Sequence, residues 1–171
     1  TEIVVKVVIN TTNLMDSHDD VHIPNIWTKS LSENKRIMHV QEHQTHSFDK
    51  IISSGDDLKA YVKEYSWKDL GYDYEGKTQA LEFESVVREE RNKFMHTQYK
   101  NGWVDNQSVG MVYIKMELAV NDKDYEDEYS TWKKYIDQVV NREQAEEKGY
   151  FWAILEAKCI EGSAVPNGSN W

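Results

Sequence analysis

Residues 3–9 read IVVKVVI, a run in which every apolar residue is β-branched. Such side chains lose rotamer freedom in a helix and pack well on a pleated surface, so the run predicts a largely buried strand. Extended character recurs in RIMHVQEH (36–43), Lys50–Ser53, LKAYVKEYSW (58–67), TQALEFESVV (78–87), the alternating stretch Ser108–Leu118, and YFWAILEAKCI (150–160). Helical spacing interrupts these runs. Ile26, Trp27 and Leu31 predict a short helix ending near Asn34. REERNKFMHTQYKNG predicts another, stopped at Asn101-Gly102, where glycine suits the left-handed cap. Tyr125, Tyr129, Trp132, Ile136, Val139 and Val140 predict one amphipathic helix over 124–140, packed on the core or offered to a partner. Strands and helices do not alternate regularly, which disfavours a doubly wound parallel sheet. The expectation is an α+β, mainly β fold: a mostly antiparallel, β-barrel-like core surrounded by helices. Two prolines and no repeat or linker argue for a single domain over 1–171.

The 171 residues carry a net charge of −10. That argues against nucleic acid as the partner, because phosphate binding needs clustered Lys and Arg. A single cysteine, Cys159, excludes an internal disulfide and a Cys-rich metal site. No stretch approaches the roughly 20 apolar residues of a membrane span, and no signal peptide is read at TEIVVKVVIN. No membrane partner is expected.

Nucleophilic hydrolysis needs a hydroxyl, a base in reach, and a third group to orient the base. Ser108 opens a strand and shares a face with Gly110, Val112, Ile114, Met116 and Leu118, so a buried-face hydroxyl is expected. The competing reading is a serine that caps a turn. Six histidines supply candidate bases. His43 ends a strand-like run, His46 lies in the following loop, His39 shares a strand face with His43, and His96 reads as a surface position on a helix. SHDDVH sets His18 and His22 four apart, a metal pair only if the segment is helical, and it reads as a solvated loop. The acid is either Glu156, inside the last predicted strand, or Glu161, in the loop expected after it. Lys158 shares the Glu156 face, the mark of an exposed face. No Gly-rich phosphate loop and no G-x-S-x-G elbow is present.

Four stretches in order carry a family likeness: MDSHDDVHIPNIWTKSL (15–31), HVQEHQTHSFDKII (39–52), GWVDNQSVGMVYI (102–114) and LEAKCIEGSAVPNG (155–168). Together they resemble the head-maturation (prohead) serine proteases of tailed bacteriophages, relatives of the herpesvirus assemblin proteases. The resemblance implies a herpesvirus-protease-like fold and peptide-bond hydrolysis through an acyl-enzyme. It assigns Ser108 as nucleophile, His43 as base and Glu156 as the orienting acid, with His46 and Glu161 as rivals. It implies no cofactor and no metal. The implied substrates are the phage major capsid or scaffold protein and the chain itself, inside the procapsid in the host bacterial cytoplasm. A homodimer or higher oligomer is a further expectation. The alternative is a noncatalytic virion or scaffold-associated protein on a similar fold, or a small hydrolase with a metal on His18 and His22.

Overall fold

A computed structural model describes residues 1–33 and 36–168, and its strands form two sheets. The first is antiparallel: β1 (Glu2–Thr11) and β5 (Leu58–Ser66) flank β6 (Lys77–Arg88). The second is built on β8 (Tyr150–Ala164), which pairs along one side with β7 (Gln107–Val120). Its other side pairs in parallel with β2 (Asp20–His22) at one end and β3 (Met38–Gln41) at the other. β4 (Ile51–Ser54) continues the sheet beyond β3. The chain is thus α+β, with strand the larger share, but the sheets do not close into a barrel.

The sheets pack through Ile9, Leu81 and Phe83 of the first and Ile154, Ala157 and Cys159 of the second, with Ile26, Trp27 and Ile37. Gly162 permits this approach: a Cβ there would lie 2.4 Å from the Phe83 ring and 2.7 Å from Ile9. The β1 run is less buried than its composition suggests. Only its last three residues, Ile9, Asn10 and Thr11, are buried, because the rest lies on a sheet with an open face.

α1 (Thr28–Glu33) matches the expected short helix, whose foreseen end, Asn34, lies outside the described residues. α2 (Lys93–Lys100) is capped by Asn92, whose side chain accepts from the Met95 N–H at 3.0 Å. The helix expected over 124–140 is α3 (Glu126–Tyr135) closed by a 3-10 turn at Ile136–Gln138, and a separate α4 (Arg142–Lys148) follows beyond the expected range. The break lets the Val140 N–H reach the Asn13 carbonyl at 2.9 Å. Trp132, Tyr135, Ile136 and Val139 are buried against Phe151 and Ala153, so this stripe is core rather than a docking face.

Two strand expectations change near the site. β8 runs to Ala164, four residues past the expected end, and Glu161 and Ser163 therefore sit in the sheet. β7 shifts register between Gly110 and Met111, between Tyr113 and Lys115, and between Lys115 and Met116. Residues Val112 to Glu117 are all exposed, so both faces of the strand are open there and the apolar face foreseen around Ser108 is not continuous.

Candidate active site

The site begins at three strands in register: Ser108 on β7 faces Ser163 on β8, which faces Val40 on β3. Directly opposed residues of an antiparallel pair project to the same side, so the Ser108 side chain rises beside that of Ser163, and Gly110 lies across from Glu161. Ser108 is half-buried at the start of its strand.

His43 follows β3, where Glu42 and His43 both adopt left-handed backbone, with φ of 51° and 57°. For residues with a Cβ this is a strained conformation, kept only where neighbours fix it. Here the Glu42 N–H donates to the Ala164 carbonyl at 2.9 Å, and the His43 N–H donates to Ser163 Oγ at 2.6 Å. The strained turn aims the ring back over the sheet. His43 Nδ1 stands 2.5 Å from Glu161 Oε1. In that pairing Nδ1–H donates to the carboxylate and Nε2 keeps its lone pair, the tautomer a general base requires. The imidazole remains accessible, at 46% side-chain exposure against 4% for Glu161.

Burial pushes the Glu161 carboxyl above its ordinary pKa, and His43 opposes that shift. Its second oxygen, Oε2, has no hydrogen-bond partner among the described residues. The carboxylate fits only because residue 110 is glycine: a Cβ there would stand 2.1 Å from Oε1. Cys159 is no rival nucleophile, since burial pushes its thiol up to about 12.

Ser108, His43 and Gly110 line one cleft of about 440 Å³, together with Asp16, His18, His22, Val109, Met111 and Tyr113. The structure thus brings Ser108 and His43 to a common cleft. It does not bring Glu156 to them. Glu156 lies farther along β8, where its Oε1 is 3.6 Å from the Lys115 ammonium, beside a separate hollow lined by Lys29, Glu33 and Lys158. The pairing shifts by one residue between Cys159 and Glu161, so Ala157 and Cys159 pack toward Phe83 and Ile9, whereas Glu161 and Ser163 meet His43 on the cleft side, with Gly162 toward Phe83 between them. The bulge at Ile160 hid the acid, because unbroken alternation would set Glu161 with Ala157 and Cys159 rather than on the cleft.

The other histidines part company with the site. His46 is exposed and does not line the cleft. His96 is buried on α2, not a surface position, because that helix packs Met95 against Ile52 and Val87. His39 is fully buried between the sheets: its Nδ1 meets Ser85 Oγ at 2.8 Å, Ser85 meets Ser53 at 2.6 Å, and Tyr99 Oη meets Nε2 at 3.1 Å. Burial lowers its pKa to about 3. With both nitrogens engaged it is a structural cross-link. The pair His18 and His22 also separates: His18 is exposed, whereas His22 is buried beside Asp16 and Asp20.

No family model matches the chain, and neither a curated protein nor a solved structure matches it. The site's chemistry therefore rests on its own geometry. No helix among the described residues is long and apolar enough to cross a membrane.

Proposed function

We propose that the protein is a serine endopeptidase acting through Ser108, His43 and Glu161. The observation that carries the reading is the 2.5 Å contact between His43 Nδ1 and the buried Glu161, on a ring that shares a cleft with Ser108. His43 Nε2 takes the Ser108 proton as Oγ attacks the scissile carbonyl. The imidazolium so formed is stabilised by Glu161 and then protonates the leaving amine. Water repeats the cycle on the acyl-enzyme, with His43 again as base. The ordered stretches around His43 and Ser108, similar to those of phage head-maturation proteases, support a capsid or scaffold protein as the natural substrate and the procapsid as the place of action.

The test is co-expression of wild type and Ser108→Ala with a candidate capsid or scaffold protein, with products read by mass spectrometry. A fluorophosphonate label on the purified chain gives a second readout. Cleavage and labelling in wild type, both lost in Ser108→Ala, are expected. Identical products from the two chains, with no label on Ser108, would support a noncatalytic role.

A further inference from the structure

His43 is held at two points, and both holders stand on β8. Glu161 meets the ring at Nδ1, and Ser163, two residues on, accepts the backbone N–H at 2.6 Å. Residues two apart on a strand project to the same side, so one face of one strand grips the base at its ring and at its backbone.

Ser163 is fully buried. A hydroxyl carries one donor and two acceptor sites. Here a lone pair takes the His43 N–H, while the proton is directed at the Val40 carbonyl across a long 3.4 Å bond. Ser163 is therefore no second nucleophile: it is closed to substrate, and it touches His43 at the backbone rather than at the imidazole. A buried hydroxyl gains little over a methyl group except through what it bonds.

What it bonds is a strained turn. Glu42 and His43 are consecutive left-handed residues. Three hydrogen bonds close the turn: Gln44 N–H to the Gln41 carbonyl at 3.0 Å, Glu42 N–H to the Ala164 carbonyl at 2.9 Å, and His43 N–H to Ser163 Oγ. The first two join backbone groups, which any sequence supplies. Only the third comes from a side chain, and the His43 N–H has no other acceptor among the described residues. Strained backbone persists only where its surroundings over-determine it, so the turn relaxes when that acceptor is lost. The ring moves with its own backbone and leaves Glu161.

We propose that Ser163 is a positioning residue for the general base: its hydroxyl holds His43 in the turn that brings Nδ1 onto Glu161. The inference rests on the peptidase reading, since it concerns the base of the same site.

Three variants test it. Ser163→Ala removes the hydroxyl. Ser163→Thr and Ser163→Val share a shape, so any overpacking at the buried position is common to both, and only Thr keeps the hydroxyl. The first readout is the ¹⁵N NMR signature of the His43 imidazole at pH 9 in a Ser108→Ala background, which needs no activity. The parent and Ser163→Thr should show the Nδ1–H tautomer that Glu161 selects. Ser163→Ala and Ser163→Val should move toward the Nε2–H form that a free imidazole favours. The second readout is steady-state kinetics with Ser108 restored. Ser163→Ala should lower kcat by about 10²-fold with KM within about twofold, because the loss falls on proton transfer rather than on binding. Ser163→Thr should exceed Ser163→Val in kcat by at least about tenfold. Thr and Val variants alike in tautomer, or alike in the kcat of an active enzyme, overturn the proposal. So does a Ser163→Ala chain that keeps both the Nδ1–H tautomer and its kcat. A hydroxyl-dependent tautomer in a chain whose wild type cleaves nothing overturns the peptidase and leaves Ser163 as the residue that holds His43.

Discussion

At the residue scale, the site depends on one carboxylate and one missing methyl group. Glu161→Gln should lower kcat by about 10²–10⁴-fold, because an amide neither fixes the imidazole tautomer nor stabilises imidazolium. Glu156→Gln, beside Lys115 and a separate hollow, should leave kcat within about threefold of wild type. Steady-state kinetics on one peptide substrate separate the two, and the reverse ranking would restore Glu156 as the acid. Gly110→Ala would drive a methyl group into Glu161 Oε1 and push the carboxylate off His43, so kcat should fall while circular dichroism stays native. Asp16 gives a stability prediction. Its carboxyl is raised from 3.8 to about 6, chiefly by burial. The folded chain therefore binds more protons than the unfolded one between those values, and this group's contribution to stability falls as pH rises through them. The difference amounts to about 3 kcal/mol. Asp16→Asn keeps the acceptor for the loop amides, so urea unfolding should show the variant gaining on wild type from pH 4 to pH 7. Parallel curves would refute the assignment.

At the scale of elements, local pattern located nearly every strand but misjudged where some end and where they twist. The β-branched run at 3–9, the alternation in 78–87 and the serine-led run from 108 all became strands. The limit of β8 was missed because Glu161, Gly162 and Ser163 read as turn residues. Each is excused by a tertiary neighbour: His43 on Glu161, the Phe83 ring over Gly162, and the His43 N–H on Ser163 Oγ. The bulges of β7 were equally invisible, since a bulge is defined by the partner strand. The Tyr-Trp-Ile-Val stripe was legible as apolar but not as two elements, because the break at Val139 and Val140 follows from the contact with Asn13. Trp132 anchors that region against Phe151, with ring centroids 5.4 Å apart. Trp132→Ala should destabilise the fold by about 3–5 kcal/mol in chemical denaturation. A loss under about 1 kcal/mol would show that the helical cover contributes little.

At the scale of the whole molecule, the two sheets meet where the site is built. β8 carries Glu161 and Ser163 toward the cleft, while Gly162 between them receives Phe83 and Ile9 from the other sheet. Sheet packing and the orientation of the acid are thereby linked along three consecutive residues. Gly162→Ala should lower Tm by several degrees, since overpacking of this kind costs about 1–3 kcal/mol. It should also reduce kcat, unlike Trp132→Ala assayed well below its Tm. Unchanged kcat in Gly162→Ala would separate the two functions of β8.

The sequence by itself determined the β-rich α+β class, the order of the elements, and Ser108 and His43 as candidates, because β-branched runs, alternation and helical spacing act over a few residues. Only the tertiary structure decided which acid meets His43, that the sheets stay open, and that Asp16 and His22 share a cleft with Ser108. Those relations join residues more than a hundred positions apart, as with His43 and Glu161. They depend on strand register and on where a glycine leaves room, quantities that exist only once two strands have paired.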